Sequence, residues 1–307
     1  MKTIVLTHDL CAEHIVPRGH PERPARIQAV LKAFEDDALK GIPHRTAPRA
    51  LLEDIERVHS KEMVADIMER IPSEGIESLD ADTCVSAQSG EAALHAAGAA
   101  IAAVDVLIKG DGEHVFCAVR PPGHHAEPGR SMGFCLFNNI AVAALYARDK
   151  YGIDRIGVVD FDVHHGNGTQ AAFEQDANLF YASTHETPLY PGTGARHESG
   201  IDGNIVNEPL EPGADGKDFR KAFENRILPE LDRFRPQLLL VSSGFDAHAR
   251  DPLAHLQLEE SDFAWAGERL AERARESETG AMVSVLEGGY DLFALRESVA
   301  AYIKAIM

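Results

Sequence analysis

The residues best equipped for chemistry in this chain stand directly after short apolar runs. Val115–Val119 leads into Arg120-Pro121-Pro122-Gly123-His124-His125. Ile156–Val159 leads into Asp160-Phe161-Asp162-Val163-His164-His165-Gly166-Asn167. Leu179–Ala182 is followed by Ser183, Thr184 and His185, and Leu238–Val241 by Ser242-Ser243-Gly244-Phe245-Asp246-Ala247-His248. Met282–Leu286 ends in Glu287-Gly288-Gly289-Tyr290-Asp291. The densest cluster is Asp160-x-Asp162-x-His164. Side chains alternate along a strand, so these three are expected on one side, with Phe161 and Val163 on the other. Carboxylate oxygen and imidazole nitrogen suit a divalent first-row metal. Asp246, from another strand end, supplies a third ligand. Three protein ligands leave a position open for water and substrate, the catalytic pattern for zinc. The competing use of such a cluster is a buried Asp/His network that ties loops together.

His124 and His125 follow a stiff Pro-Pro-Gly turn that sets where the pair points. They are read as two metal ligands, as two surface residues, or as a general base with an electrostatic partner. Catalytic imidazoles need an acceptor on the second nitrogen, and Asp160 and Asn167 are available. One is a carboxylate and the other an amide, so the two imidazoles should titrate differently. Tyr290 follows a flexible Gly-Gly turn. It is either a packing residue or a hydrogen-bond donor to a developing oxyanion.

The elements that must position these residues are short, mostly apolar and often β-branched, as strands covered on both faces are. Strands are expected at Val115–Val119, Arg155–Val159, Leu179–Ala182, Leu238–Val241 and Met282–Leu286, with a further strand near the N-terminus. Helices are expected between them, at Pro24–Phe34, Gly90–Ile108, Ile140–Lys150, Phe219–Phe234, Asp262–Arg275 and Phe293–Ile306. The Ala-rich Gly90–Ile108 segment suits close packing on a sheet. This alternation predicts an α/β fold: one domain over residues 1–307, an open, mostly parallel sheet with helices on both faces. Ligands bind outside the carboxyl ends of such strands. Five strand ends would bring His, Asp and Tyr to one rim, where unpartnered buried carboxylates would be costly.

Composition narrows the function classes. At 307 residues and 44% hydrophobic content the chain can bury a large core. Its formal net charge is −19, which argues against nucleic-acid binding, because phosphate contacts need clustered Lys and Arg. An acidic field would attract cationic substrates, or simply keep the protein soluble. No uninterrupted apolar stretch of membrane-spanning length is read, and the N-terminus reads as a strand and not as a signal peptide. Cys11, Cys84, Cys117 and Cys135 lack metal-site spacing, which fits reduced thiols in a cytoplasmic enzyme. A nucleophilic Cys135 is the competing use of that residue. A homo-oligomer is neither required nor excluded.

The motifs Arg120-Pro-Pro-Gly-His-His-Ala126, Gly133-Phe-Cys-Leu-Phe-Asn-Asn139, Asp160-Phe-Asp-Val-His-His-Gly-Asn-Gly-Thr-Gln170, Tyr190-Pro-Gly-Thr-Gly194, Ser243-Gly-Phe-Asp-Ala-His248 and Leu286-Glu-Gly-Gly-Tyr-Asp291 resemble the histone deacetylase family of the arginase/deacetylase superfamily. With His20-Pro-Glu-Arg-Pro24 they cover almost the whole chain in family order. Asn167, where class I enzymes carry Asp, looks like class II deacetylases and their prokaryotic relatives, which include acetylpolyamine amidohydrolases. The resemblance implies one catalytic Zn2+ held by Asp162, His164 and Asp246. It implies that His125, oriented by Asn167, is the general base, that His124 pairs with Asp160, and that Tyr290 is the oxyanion donor. Gly133, Phe134 and Tyr190 would wall the acyl-lysine tunnel, with Leu253 and the rim acid Asp82 at its mouth. Structural K+ or Na+ is implied at Asp160, Asp162, His164, Ser183 and Thr184, and a second monovalent ion near Phe173, Asp176 and Leu179.

The implied reaction is hydrolysis of a small-molecule or peptidyl acyl-amide. A two-manganese ureohydrolase would need further carboxylates where Gly166 and His248 stand. A non-catalytic acyl-lysine reader would have lost a ligand or the tyrosine, and all are present. For an acetylpolyamine, Leu253 stands where some polyamine-selective relatives carry Glu.

Overall fold

In the computed structural model, which describes residues 2–307, the described residues form ten strands. They are β1 (Thr3–Thr7), β2 (His44–Thr46), β3 (Ile76–Ser78), β4 (Cys84–Ser86), β5 (His114–Cys117), β6 (Ile156–Asp160), β7 (Leu179–Glu186), β8 (Ile205–Leu210), β9 (Leu238–Ser243) and β10 (Met282–Leu286). Eight of them make one sheet in the order β2-β1-β5-β10-β9-β6-β7-β8, and β3 and β4 form a separate antiparallel pair. Every pairing in the large sheet is parallel. The five motif-bearing strands are the contiguous run β5-β10-β9-β6-β7. Their carboxyl ends therefore lie side by side, and the register sets Asp160 beside both Ser242 and Ser183.

The expected open parallel sheet is what forms. β10 has the predicted bounds, and β5, β6 and β9 differ by one or two residues. β7 runs on past Ala182 through Ser183, Thr184, His185 and Glu186, all buried, because β8 pairs with it along that whole length. β8 itself escapes prediction: Asn207, Glu208 and Pro209 interrupt its apolar pattern, and proline is tolerated there because β8 is a sheet edge.

Ser89–Ile108 is apolar and long enough to cross a membrane, but 72% of its most apolar window is buried inside the protein. Gly98 explains the closeness: a β-carbon there would collide with the Pro48 carbonyl. The predicted Phe219–Phe234 helix is three pieces, with a π-turn at Phe223–Ile227 between Gly216–Ala222 and Leu228–Phe234. Pro229 lacks an N–H and crowds the carbonyl four residues back, so the ladder shifts by one residue before it. Near the site, Asp291 caps Leu292–Ile306 by accepting from the Phe293 and Ala294 N–H groups, which anchors the chain just after Tyr290.

Candidate active site

β6 ends at Asp160, so Asp162 and His164 are not strand residues and strand alternation is not what aligns them. Two side-chain turns do it instead. The Asp162 N–H donates to Asp160 Oδ1 (3.1 Å), and the His164 N–H donates to Asp162 Oδ1 (2.9 Å). Asp246 enters from the end of β9, and its Oδ1 accepts from the Val163 N–H at 2.9 Å. His164 Nδ1 then lies 3.1 Å from Asp162 Oδ1 and 3.2 Å from Asp246 Oδ2. One ligand atom from each residue falls within 4.8 Å of the others, and all three residues are buried. Bonds of roughly 2.0–2.2 Å to a tetrahedral zinc put ligand atoms a little over 3 Å apart, so the donor set fits. Burial opposes charge on His164, but Asp162 and Asp246 raise its pKa to about 10.

Glycines press on this cage. A β-carbon on Gly288 would collide with the carboxylates of Asp246 and Asp162, and one on Gly244 with that of Asp162. The Gly288 N–H uses the closeness to donate to Asp162 Oδ2 at 2.8 Å.

The two histidines find the partners expected of them. His124 Nδ1 is 3.0 Å from Asp160 Oδ2, and His125 Nδ1 is 2.8 Å from Asn167 Oδ1. Their rings sit 4.0 Å apart between centroids, yet they titrate in opposite directions. Burial opposes the charged form of both. Asp162 and Asp160 overcome it for His124 and raise its pKa to about 10. At His125 burial is reinforced by the charges of His124 and His164, and its pKa falls well below the usual imidazole range. The surroundings thus favour the charged form of His124 and the neutral form of His125.

A cavity of about 240 Å³ opens over His125 and His164, lined also by Asp82, Gly133, Phe134, Leu189, Tyr190, Leu253 and Tyr290. Gly133 and Phe134 both adopt positive φ, +57° and +69°. A β-carbon on Gly133 would meet the His125 ring at 2.5 Å, and the strained Phe134 backbone turns its ring toward Tyr290, at 5.9 Å. Tyr190 stands edge-on to His125 at 5.1 Å. Tyr290 is 7% exposed, and burial pushes its phenol well above the usual range, so the hydroxyl keeps its proton. Cys135 is buried and its thiol is likewise pushed well up, which disfavours the thiolate a nucleophile needs.

The same arrangement of residues is matched by a known family model, the histone deacetylase domain, over residues 20–306. The chain belongs to the histone deacetylase family. It is 39% identical to a histone deacetylase-like amidohydrolase of Pseudomonas aeruginosa, over 89% of this chain and 73% of that one. It is 41% identical to a probable deacetylase of Methanothermobacter thermautotrophicus, covering 94% and 86%. The crystal structure of the HDA15 HD domain superposes with a TM-score of 0.92 at 33% identity, over 99% of this chain and 88% of that one. The fold is that of the arginase/deacetylase group, and this deacetylase-family member is a hydrolase acting on amides.

Other expected positions divide. Asp82 reaches the tunnel mouth, but its Oδ1 is taken by the Gly133 N–H (3.1 Å) and the Thr83 hydroxyl (2.8 Å), so it first holds the tunnel wall. The carbonyls expected at the second monovalent site do come together. Those of Phe173, Asp176 and Leu179 converge on the Asn204 side-chain nitrogen, at 2.9, 3.0 and 2.7 Å.

Several residues of this deacetylase's site had no assigned role in the sequence. Tyr181 donates its hydroxyl to Asp160 Oδ2 (3.1 Å) and accepts from the Gly166 N–H (2.9 Å). Glu287 accepts from the Gly123 and His124 N–H groups at 2.7 and 3.1 Å, which pins the histidine turn. Arg26 donates to the Gly289 carbonyl (2.6 Å) and lies 4.8 Å over the Tyr290 ring. Asp251 accepts from the Tyr290 N–H at 2.7 Å. The signal available was proximity: Glu287 is part of the Leu286–Asp291 motif, and Arg26 and Asp251 follow within three positions of Pro24 and His248.

Proposed function

We propose that this protein is a zinc-dependent amidohydrolase that cleaves a linear acyl-amide, either an acyl-lysine side chain or a small-molecule amide of similar shape. The observation that carries the reading is the Asp162–His164–Asp246 cage beneath a neutral His125 and a protonated Tyr290, at the bottom of one cavity. Bound to those three residues, zinc would polarise the carbonyl and lower the pKa of water toward roughly 7. The chain's own groups do the rest. The cavity walls, Phe134, Tyr190, Leu189 and Leu253, hold an apolar stem and exclude water from it. His125 Nε2 accepts the proton of the attacking water and later returns one to the leaving nitrogen. Tyr290 donates its hydroxyl hydrogen to the oxygen on which negative charge develops. His124, whose charged form Asp162 and Asp160 favour, stands beside His125 and would offset that charge.

A polyamine is the lesser reading, because Leu253 offers a second ammonium no partner. A two-metal ureohydrolase is disfavoured by His248, whose Nε2 is turned to Glu260 at 3.3 Å. The resemblance also supports structural K+ or Na+ at Asp160, Asp162, His164, Ser183 and Thr184, whose strands are in register at Asp160 and Ser183.

The test is metal removal. Chelated protein should lose hydrolysis of acyl-lysine and small acyl-amide substrates and regain it with zinc, and hydroxamates should inhibit it. Full turnover in protein shown to be metal-free would overturn the reading.

A further inference from the structure

The general base is set by more than its direct partner. Asn167 is held from both ends: its Oδ1 faces His125 Nδ1 at 2.8 Å, and its Nδ2 donates to Glu127 Oε1 at 2.7 Å. Met132 Sδ, 3.4 Å from the same nitrogen, is a second acceptor on that side. The two ends of an amide differ only in what they can do with a proton, so their surroundings decide which way it faces. An ionised carboxylate only accepts. Glu127 therefore requires the NH2 group, and the oxygen is left for His125. An oxygen there can only accept, so His125 Nδ1 must carry the proton. The lone pair is then on Nε2, the nitrogen a base needs.

The glutamate is itself fixed. Its backbone N–H donates to the Arg130 carbonyl (2.9 Å), and its carbonyl accepts from Arg130 (3.3 Å) and pairs with His59 Nδ1 (2.9 Å). His59 Nε2 accepts from the Asn138 N–H at 2.8 Å, so its proton is on Nδ1 and points at Glu127. Arg130 closes the outer side, 3.4 Å from Glu127 Oε2.

We propose that Glu127 is a positioning residue that fixes the tautomer of His125 through the Asn167 amide. It rests on the reading of His125 as the base. Without Glu127 only the weak Met132 sulfur acceptor is left on that side, and the amide can turn over and present NH2 to His125. Nδ1 then becomes the acceptor, Nε2 takes the proton, and that fraction of molecules cannot deprotonate water. The arrangement also explains why position 167 carries an amide. A carboxylate there would need no orienting, but it would face Glu127 at hydrogen-bond distance, charge against charge.

The test uses the zinc-loaded enzyme, with kcat, KM and zinc content measured together and histidine tautomers read by ¹⁵N NMR. Glu127→Ala should lower kcat by about 10–100-fold, the usual scale for partners one bond removed from the reacting groups, with KM and zinc unchanged. Its His125 signals should move from the pure Nδ1–H form to a mixture. Glu127→Gln, whose oxygen still accepts from Asn167, should recover much of the loss. Asn167→Asp should be impaired, and Asn167→Asp with Glu127→Gln should exceed it. Should Glu127→Ala fail to fold, the last two variants decide on their own. Wild-type kcat in Glu127→Ala, or a fall in kcat with the His125 tautomer unchanged, overturns the proposal, as does a double variant no better than Asn167→Asp. A fully active His125→Ala would instead overturn the assignment of the base.

Discussion

The floor of the cavity and its rim are built differently. On the floor, each group is held at more than one point. Asp162 accepts from the His164 and Gly288 N–H groups, Asp160 from Asp162 and Tyr181, and Glu287 from the turn that carries both histidines. At the rim, Tyr190 is 37% exposed and meets the floor through ring edges on His125 and His164. Leu253 is partly exposed on a loop whose N–H is tied to Asp251. A rigid floor under a lightly held rim fixes the reaction and leaves the substrate adjustable. Floor substitutions should therefore act on metal and kcat, and rim substitutions on KM.

The largest effect is expected at Asp246. Asp246→Ala removes one of three ligands and leaves His164 facing a single carboxylate. Zinc content and turnover should both fall below detection while the fold persists, as read by metal analysis and circular dichroism. Stoichiometric zinc in this variant would remove Asp246 from the cage. Next is Tyr290→Phe, which keeps the ring under Arg26 and deletes only the hydroxyl. Loss of one oxyanion donor costs about 10²–10³ in kcat, roughly 2.7–4 kcal/mol. KM, zinc and Tm should hold. A near-silent change would make Tyr290 a packing residue and break the comparison at its centre.

The crowded floor also carries a cost in stability, and Glu287 measures it. Its carboxyl is fully buried, and burial raises its pKa from 4.5 to about 7 against the pull of His124 and two N–H donors. The folded value lies above the unfolded one, so the unfolded chain loses the proton first. Stability is then lost as pH rises from about 4.5 to 7, by at most about 3 kcal/mol. Glu287→Gln keeps the acceptor and removes the titration. The stability of the variant relative to the parent should climb across that window and level off above it. A flat difference between pH 4.5 and 7.5 would show that Glu287 is ionised throughout. The smallest effect belongs to the rim. Tyr190→Ala removes one aromatic wall of the substrate cavity, a contact worth about 0.5–1.5 kcal/mol, so KM should rise severalfold with zinc unchanged. A collapse of kcat there would erase the distinction between rim and floor.

The floor was legible in the sequence because its residues are chemically distinctive and stand at strand ends. Asp162, His164 and Asp246 come together as expected, and so do both histidine pairs. The means were less legible. Strand alternation was the expected cause of the Asp160, Asp162 and His164 alignment, and side-chain turns beyond β6 are the actual one. Asn204 shows what the sequence left out of the expected second ion site. A carbonyl cage is made of backbone atoms, which every residue has, and what occupies it depends on a side chain 25 to 31 positions from the carbonyls it meets. Glu127 was hidden in the same way, since its role exists only once Asn167 is folded against it. β8 was lost because its pairing with β7, and not its own apolar pattern, makes it a strand.

Gly288 sets a limit on how such a protein can change. Its α-carbon leaves no room for a side chain beside the carboxylates of Asp162 and Asp246, and its N–H is already spent on one of them. The tightness of the metal cage is thus written in backbone, where single substitutions have nothing to adjust. A lineage seeking a new acyl group or amine can vary Tyr190 and Leu253 one at a time. Beside Gly288 the Asp162 and Asp246 carboxylates have no such latitude, so the rim is where this fold has room to differ.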